Sequence, residues 1–529
     1  MIRWRTGASG VREVYDLVVI GGGMGGLATA ALAQSRGLHV ALLESHVKLG
    51  GCAGYFARGP YHFDAGATAL MGLRPGEPIG DLLDILGIEF SAFPTPSYRV
   101  CLPDRELEIV PDPVAFEAAS AAAFPGRDAA KRRFWRLQAA VGGTLFRAAS
   151  SVPRLPIRSL GDALHDARVL GVKGVLAATT SLVTVESVLR GLGLSGDVPF
   201  RSLVAMLLQD TAQAGPETVP FANAAACLQA YRLGMSRPVG GMRALVEGLG
   251  QRFAALGGDL RTATIADRVE PAEGGGFVVT TRRRDRLPTR QIAFNLPLDL
   301  AASLLGRGLE GRLARRENQS RAAWSAFTGY LAIRRSAVED AAPLFHQVLQ
   351  DYDRPIHDGN NVLISLSTPG DEGYGPGDVR VATMSTHTRP ADWSDLDRPA
   401  YESKKAEYRE RLLAALRRAL PIASENIVHA EFATPRSFAR YTRRVGGAVG
   451  GPPASRGNSN LLAVGSDVLG PGLWVVGDSV FPGQGTMAVV LSAIRVVERI
   501  TGETWGAMTR AACGFDKLQP VDQAANAAS

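Results

Sequence analysis

Cysteine is scarce in this chain: Cys52, Cys101, Cys227 and Cys513 are the four in 529 residues. None stands in a CxxC pair, which argues against zinc ribbons and thiol redox motifs and leaves no disulfide framework; a reducing cytoplasm fits. Eight scattered histidines form no HExxH or similar grouping, so no metal site is expected. No window holds about 18 uninterrupted apolar residues, so a membrane-spanning helix is not expected. The first 14 residues contain arginines and a Trp but no apolar run, and do not read as a secretory signal. Lysine is rare, and the formal charge of +7 is almost entirely arginine. The two basic clusters, 282–284 and 443–444, lack the interleaved aromatics of a nucleic-acid surface and read as solvated strand ends or loops.

What is present is an ordinary globular balance, 46% hydrophobic and 21% charged, which can fill a sizeable core. At roughly 150 residues per domain, the length suggests two to four domains. A polar, Ala-rich tail follows at 511–529.

Residues 15–20, YDLVVI, are a short apolar run rich in β-branched residues, as in a buried parallel strand. GGGMGG follows and fits GxGxxG at Gly21, Gly23 and Gly26, with Met24 and Gly25 between. Residues 27–35 are helical in pattern and Gly37 closes them; a second apolar strand, 40–43, ends at Glu44 and Ser45. Gly21 permits the turn, Gly23 admits a pyrophosphate, and Gly26 lets the helix approach the strand while its N-terminus faces the phosphates. Glu44 can accept hydrogen bonds from the adenosine ribose hydroxyls. That acid serves FAD and NAD alike; the Gly50-Gly51 pair just beyond it gives room for the backbone to pass a longer cofactor.

Near the other end, GLWVVGDS is a further apolar strand that breaks at Gly477-Asp478, followed by FPGQGTM and a helical stretch to Ile500. Asp478 can accept a ribityl hydroxyl. The N–H groups opening the helix at Thr486 can face the flavin pyrimidine carbonyl and stabilise negative charge on the reduced ring. The glycine-rich 446–451 segment follows no strand, misses the GxG spacing and runs into Pro452-Pro453, so it is not a second dinucleotide site. Electrons are therefore expected to pass to or from a quinone, oxygen or an external donor rather than through a bound nicotinamide.

ESHVKLGGCAGYF, YHFDAGAT, RPVGGMRAL and GDSVFPGQGTMAVVLSAIRVVERI together resemble the phytoene desaturase family, in its carotenoid cis–trans isomerase and retinol saturase-like branches. The resemblance implies an α/β fold: a discontinuous Rossmann-like FAD-binding domain (1–70, 226–299 and 456–510) with an inserted mixed sheet-and-helix substrate domain (71–225 and 300–455). It implies Gly21, Gly23, Met24, Gly25, Gly26, Glu44 and Ser45 on the ADP half, with Gly50, Gly51 and Cys52 beside the pyrophosphate. Gly66, Ala67 and Thr68 would follow, with the Ile265 backbone at the adenine and Gly477, Asp478, Gly485, Thr486 and Met487 along the ribityl chain and ring. Many desaturases carry Arg after the glycine pair; here it is Cys52, so no arginine contact is expected from that position. The flavin loop has no Cys where amine oxidases tether their cofactor, which implies non-covalent FAD. The implied substrate is a lipophilic polyene or isoprenoid; a retinoid, amine or secondary-metabolite intermediate is the alternative.

Between the motifs, 240–256 reads as a helix, 260–281 and 291–296 as strands, 324–333 and 362–367 as sheet strands, and 402–420 as an amphipathic helix. The apolar 155–208 stretch has two readings: core helices, or a cap touching the inner face of the cell membrane. No catalytic side chain is nominated; His62, Glu217, Asp371 and Gln484 are polar groups that could lie near the flavin.

Overall fold

Leu17, Val18 and Val19 are buried completely, and a run buried on both faces is what a central parallel strand requires. A computed structural model, describing residues 14–458 and 462–513, sets this strand, Tyr15–Ile20, in the middle of a seven-stranded sheet. Val40–Leu43 and the second half of Arg286–Phe294 flank it in parallel. Asp259–Arg261 and Leu473–Val475 extend the parallel part, while Ala266–Pro271 and Phe277–Thr281 form an antiparallel flap. Leu473–Val475 comes from the far end of the chain, with Leu473 opposite Ile292, so the carboxy-terminal motif is built into the amino-terminal sheet.

Helix Met24–Ser35 packs between Met242–Ala255 and Thr486–Thr501. It starts at Met24, three residues before the expected position, because Gly25 and Gly26 lie inside its close-packed first turn.

A second seven-stranded sheet runs Ile427–Ala433, Ser325–Arg334, Val379–Thr388, Asn361–Leu366, Phe345–Leu349, Tyr98–Cys101, Glu106–Ile109. It is antiparallel except where Phe345–Leu349 meets Tyr98–Cys101. Helix Arg398–Ala419 buries Tyr408, Leu412, Ala415 and Leu416 at helical spacing and leaves its charged face outward.

The apolar 155–208 stretch contains helices of two kinds. Helix Val198–Ala212 is core, with ten residues buried. Helix Leu160–Thr179 buries only Asp166, Gly174 and Ala177, and exposes Leu160, Leu164, Val172, Val175 and Leu176. No helix among the described residues is long and apolar enough to cross a membrane, and none of their side chains group as metal ligands. The first 13 residues and the tail from 514 lie outside the described residues, as does the side chain of Cys513.

Candidate cofactor site

The amino-terminal cradle is held by its own backbone. Gly22 N–H donates to Glu44 Oε2 at 2.7 Å, so the carboxylate is oriented by the loop it faces. Its other oxygen accepts from His46 N–H at 2.7 Å. Gly50 N–H donates to Gly22 C=O at 2.8 Å, drawing the glycine pair against the first loop. A Cβ on Gly26 would stand 2.0 Å from the Gly21 carbonyl oxygen, so only glycine allows the helix this close to its strand. Helix Met24–Ser35 begins at Gly23 with no side-chain cap, leaving its first N–H groups directed into the cradle.

The carboxy-terminal half meets the first directly. A Cβ placed on Gly25 would lie 3.2 Å from Gly477 N, so the two glycine motifs touch. Gly477, at φ +98°, donates its N–H to Ser492 Oγ at 2.9 Å. Gly485 opens helix Thr486–Thr501 without a side-chain cap, and Met487 packs against the Gly72 backbone. Ala67 N–H donates to Cys52 C=O at 3.1 Å, and a Cβ on Gly66 would crowd that same oxygen at 2.5 Å. Thr68 is buried beside them. Ile265 follows Ala263 and Thr264, whose N–H groups bond to the carbonyls of His46 and Glu44, and its own carbonyl accepts from Arg282. Ser45 lies in the same turn, its hydroxyl 3.2 Å from Glu44 Oε1.

Two residues of the site escaped the sequence reading. Asn295, at the end of strand Arg286–Phe294, sits where Cβ atoms on Gly21, Gly23, Gly25, Gly26 and Gly477 would strike it. Its Nδ2 donates to Gly21 C=O at 3.3 Å. An Asn just past an apolar strand was the available signal.

Arg444 is the second, and it corrects the expectation of a solvated 443–444 cluster. Arg443 is exposed, but Arg444 turns inward and pairs with Asp478 at 2.8 Å. Burial works against its charge, yet the Asp478 carboxylate beside it raises the guanidinium pKa. Arg444 also approaches Cys52, whose thiol burial pushes up while the guanidinium pulls it down. A cation thus stands beside Cys52 although none occupies that position in the sequence. The 446–451 segment opens no α-helix, only the end of a 3-10 turn at Val445–Gly447; it is a wall of the site, with no room for a Cβ on Gly451 beside the Asp478 carbonyl. Cluster 282–284 is exposed, as expected.

The other polar groups scatter. Gln484 Nε2 donates to Thr211 C=O at 2.8 Å, joining the flavin loop to the helical cap. Asp371 accepts from Gly240 N–H and caps a short turn. Glu217 pairs with Arg201 at an exposed position, and His62 Nδ1 is buried without a partner.

Two uncapped helix starts, an oriented carboxylate, a glycine cradle with no space for side chains and an acid–arginine pair are the donor set of a long, anionic dinucleotide that runs from one chain end to the other. They fit FAD.

The sequence pattern of the NAD(P)-binding Rossmann-like domain family matches residues 19–86. The chain is 22% identical to the chloroplastic prolycopene isomerase of Daucus carota over 533 residues, covering 97% of this chain and 82% of that protein. Human all-trans-retinol 13,14-reductase is 48% identical over 59 residues, 11% of this chain and 10% of that one. Wild-type putrescine oxidase bound to putrescine superposes with a TM-score of 0.59 at 15% identity, covering 93% of this chain and 100% of that one. The chain is thus similar to the prolycopene isomerases along nearly its whole length, and it shares the fold of putrescine oxidase.

Proposed function

We propose that this protein is an FAD-dependent oxidoreductase that acts on an apolar polyene or isoprenoid, in the manner of a carotenoid desaturase or cis–trans isomerase. The observation that carries the reading is the similarity to prolycopene isomerase, which runs through the cradle and the apolar cap alike. In this reading 1–70, 226–299 and 456–510 bind the cofactor, and 71–225 with 300–455 bind the substrate. The flavin is held without a covalent bond and, when bound, supplies hydride or electron exchange at N5.

The chain supplies the rest. The N–H groups opening helix Met24–Ser35, with Gly50 and Gly51, meet the pyrophosphate, and Glu44 takes the ribose hydroxyls. Asp478, steadied by Arg444, takes a ribityl hydroxyl. The start of helix Thr486–Thr501 faces the pyrimidine edge and favours negative charge there. The apolar interior between the cap helices and the second sheet, including Phe200, Leu203, Phe221 and Phe345, excludes water from the reacting carbons. A quinone or oxygen closes the electron balance in a desaturation.

Peripheral contact with a membrane belongs to the same reading. Leu160, Leu164, Val172, Val175, Leu176 and Leu182 all face outward on the cap, beside Arg168 and Lys173. Such a face suits the surface of an anionic bilayer, where a lipid-soluble substrate resides.

A second reading, saturation of a retinoid, is favoured by the local identity to the retinol reductase. The test is chromatography of polyene isomers after anaerobic incubation with the flavin-loaded protein, oxidised and reduced. A changed cis–trans ratio supports isomerisation, and loss of conjugation supports saturation. Unchanged polyene in both arms contradicts the proposal.

A further inference from the structure

We propose that Asp210, which faces His387 across 3.7 Å, is the proton-exchanging group of this enzyme, placed in the cap against the flavin loop. The inference rests on the FAD-and-polyene reading above and adds the side chain that reading lacks.

Asp210 lies in the last turn of helix Val198–Ala212, whose other members are mostly apolar and buried. That turn is fastened to the cofactor site at two points. The Thr211 carbonyl accepts from Gln484 of the flavin loop at 2.8 Å, and Gln213 Nε2 donates to Val449 C=O, in the segment that follows Arg444, at 2.8 Å. Asp210 Oδ1 stands 3.7 Å from His387 Nδ1, and Oδ2 is buried with no hydrogen-bond partner. Both side chains nevertheless keep 16% and 15% of their surface accessible.

A buried carboxylate lacking donors is costly, and the protein has two ways to avoid that cost: pair the group or keep it protonated. No Arg or Lys among the described residues pairs with Asp210. Burial accordingly pushes its carboxyl up to about 7. Burial and, behind it, His357 push His387 down to about 4. Near neutral pH the Asp210 carboxyl therefore stands close to its midpoint, and its proton can be gained or lost at little cost. The other titratable groups around it do not compete: Tyr98, Tyr231 and Cys227 are all raised, chiefly by burial, and stay protonated. Trp324 stands between the His387 and His357 rings, at 5.8 and 5.1 Å, with its Nε1 donating to Gln213 C=O at 2.8 Å. The indole thus fixes His387 relative to the same turn that presents Asp210.

An isoprenoid or polyene brings no acid or base of its own. Where a bound flavin would take a hydride from one carbon, the Asp210 carboxylate would take the proton from the neighbouring carbon, and the electron pair of that C–H bond would become the new π bond. In the saturating direction Asp210 returns the proton to carbon while reduced flavin supplies the hydride. Addition, rotation about the single bond and removal exchange cis for trans with no net change in electrons. His387 acts through Asp210 as a positioning residue.

The test uses full-length, flavin-loaded wild type, Asp210→Asn, Asp210→Glu and His387→Gln. Infrared titration of the carboxylic C=O band is measured alongside polyene turnover against pH. The expected result is a band that vanishes with a midpoint at about 7, missing from Asp210→Asn. That variant should lose about 100-fold or more in turnover, with FAD affinity and visible spectrum kept. Asp210→Glu should recover part of the loss, and His387→Gln should move the infrared midpoint and the pH limb together. An Asp210 ionised throughout the range, or Asp210→Asn turning over within a few-fold of wild type, overturns the proposal. If Asp210→Asn loses its flavin, the His387→Gln shift decides. If wild type converts no polyene, the functional reading fails, while the infrared titration still reads Asp210 by itself.

Discussion

Arg444 Nη2 lies 3.0 Å from one oxygen of Asp478 and 2.8 Å from the other, and this contact fastens the 444–451 loop onto the strand end that carries Gly477. It joins a loop beside the second sheet to the cofactor-binding sheet at the point where both glycine motifs converge. It also fixes the direction of a carboxylate that would otherwise be free to rotate. The pair is largely removed from solvent, with side-chain exposures of 17% and 14%, so its members are worth more together than a surface ion pair.

Replacing Arg444 by Met should therefore be severe. Asp478 would be left with its charge and no counter-ion, a change that costs about 3–5 kcal/mol when a buried pair is broken. Flavin affinity should fall at least tenfold. Arg444→Lys, which keeps the charge without the planar fork, should lie between. Fluorescence titration with FAD and thermal unfolding measure the two effects.

Glycines in and out of the cradle should respond differently to alanine. Gly26→Ala puts a methyl 2.0 Å from the Gly21 carbonyl, and the helix cannot retreat without opening the cradle, so the variant should purify without flavin. Gly37 has φ +82° but open space around its missing Cβ. Gly37→Ala should cost only the left-handed strain, about 1–2 kcal/mol, and keep the flavin. Absorbance of the purified variants at flavin wavelengths separates the outcomes.

Stability should weaken on acidification partly through His346. Its ring is fully buried, Nε2 lies 2.8 Å from the Pro343 carbonyl, and burial, aided by Arg99, pushes its pKa down to about 4. A folded value below the unfolded one of about 6.5 means that its contribution is complete above that pH. It is lost as pH falls toward 4. The difference corresponds to at most about 3 kcal/mol. His346→Gln should flatten the denaturant midpoint between these pH values relative to wild type, whatever its effect at neutral pH.

The exposed apolar face of helix Leu160–Thr179 gives a prediction about location. Val172→Asp with Leu176→Asp places two charges at positions 80% and 63% exposed, where folding should be indifferent. Co-flotation with vesicles containing anionic lipid should drop several-fold, while flavin content stays unchanged. Equal flotation of variant and parent would remove the membrane contact from the account.

The sequence made the cofactor sheet legible because its signals are local. A β-branched run, a glycine spacing, a helix and an acid at Glu44 follow one another within about one βαβ unit. Helix Arg398–Ala419 and strand Ser325–Arg334 were legible for the same reason, since each has its own period. Arg444 was not, because one arginine in an Arg-rich loop looks like its exposed neighbour Arg443 until the fold brings Asp478 to it. Asn295 carried too small a signal, a single polar residue after a strand. Asp210 and His387 come from a cap helix and a strand of the second sheet, and no spacing along the chain announces a contact of that kind. The 155–208 stretch was ambiguous since composition is the same for a buried helix and for one lying on a surface; only packing separates Val198–Ala212 from Leu160–Thr179.

In the proposed function Gly25 and Gly477, far apart in the sequence but touching in the fold, close around one flavin. The most direct measurement is the stoichiometry of FAD on the full-length protein, read from its absorption spectrum after gel filtration with excess cofactor. One FAD per chain is expected, released intact on denaturation and lost from Gly26→Ala. A folded wild-type protein that emerges colourless, or one whose flavin survives Gly26→Ala unchanged, would contradict it.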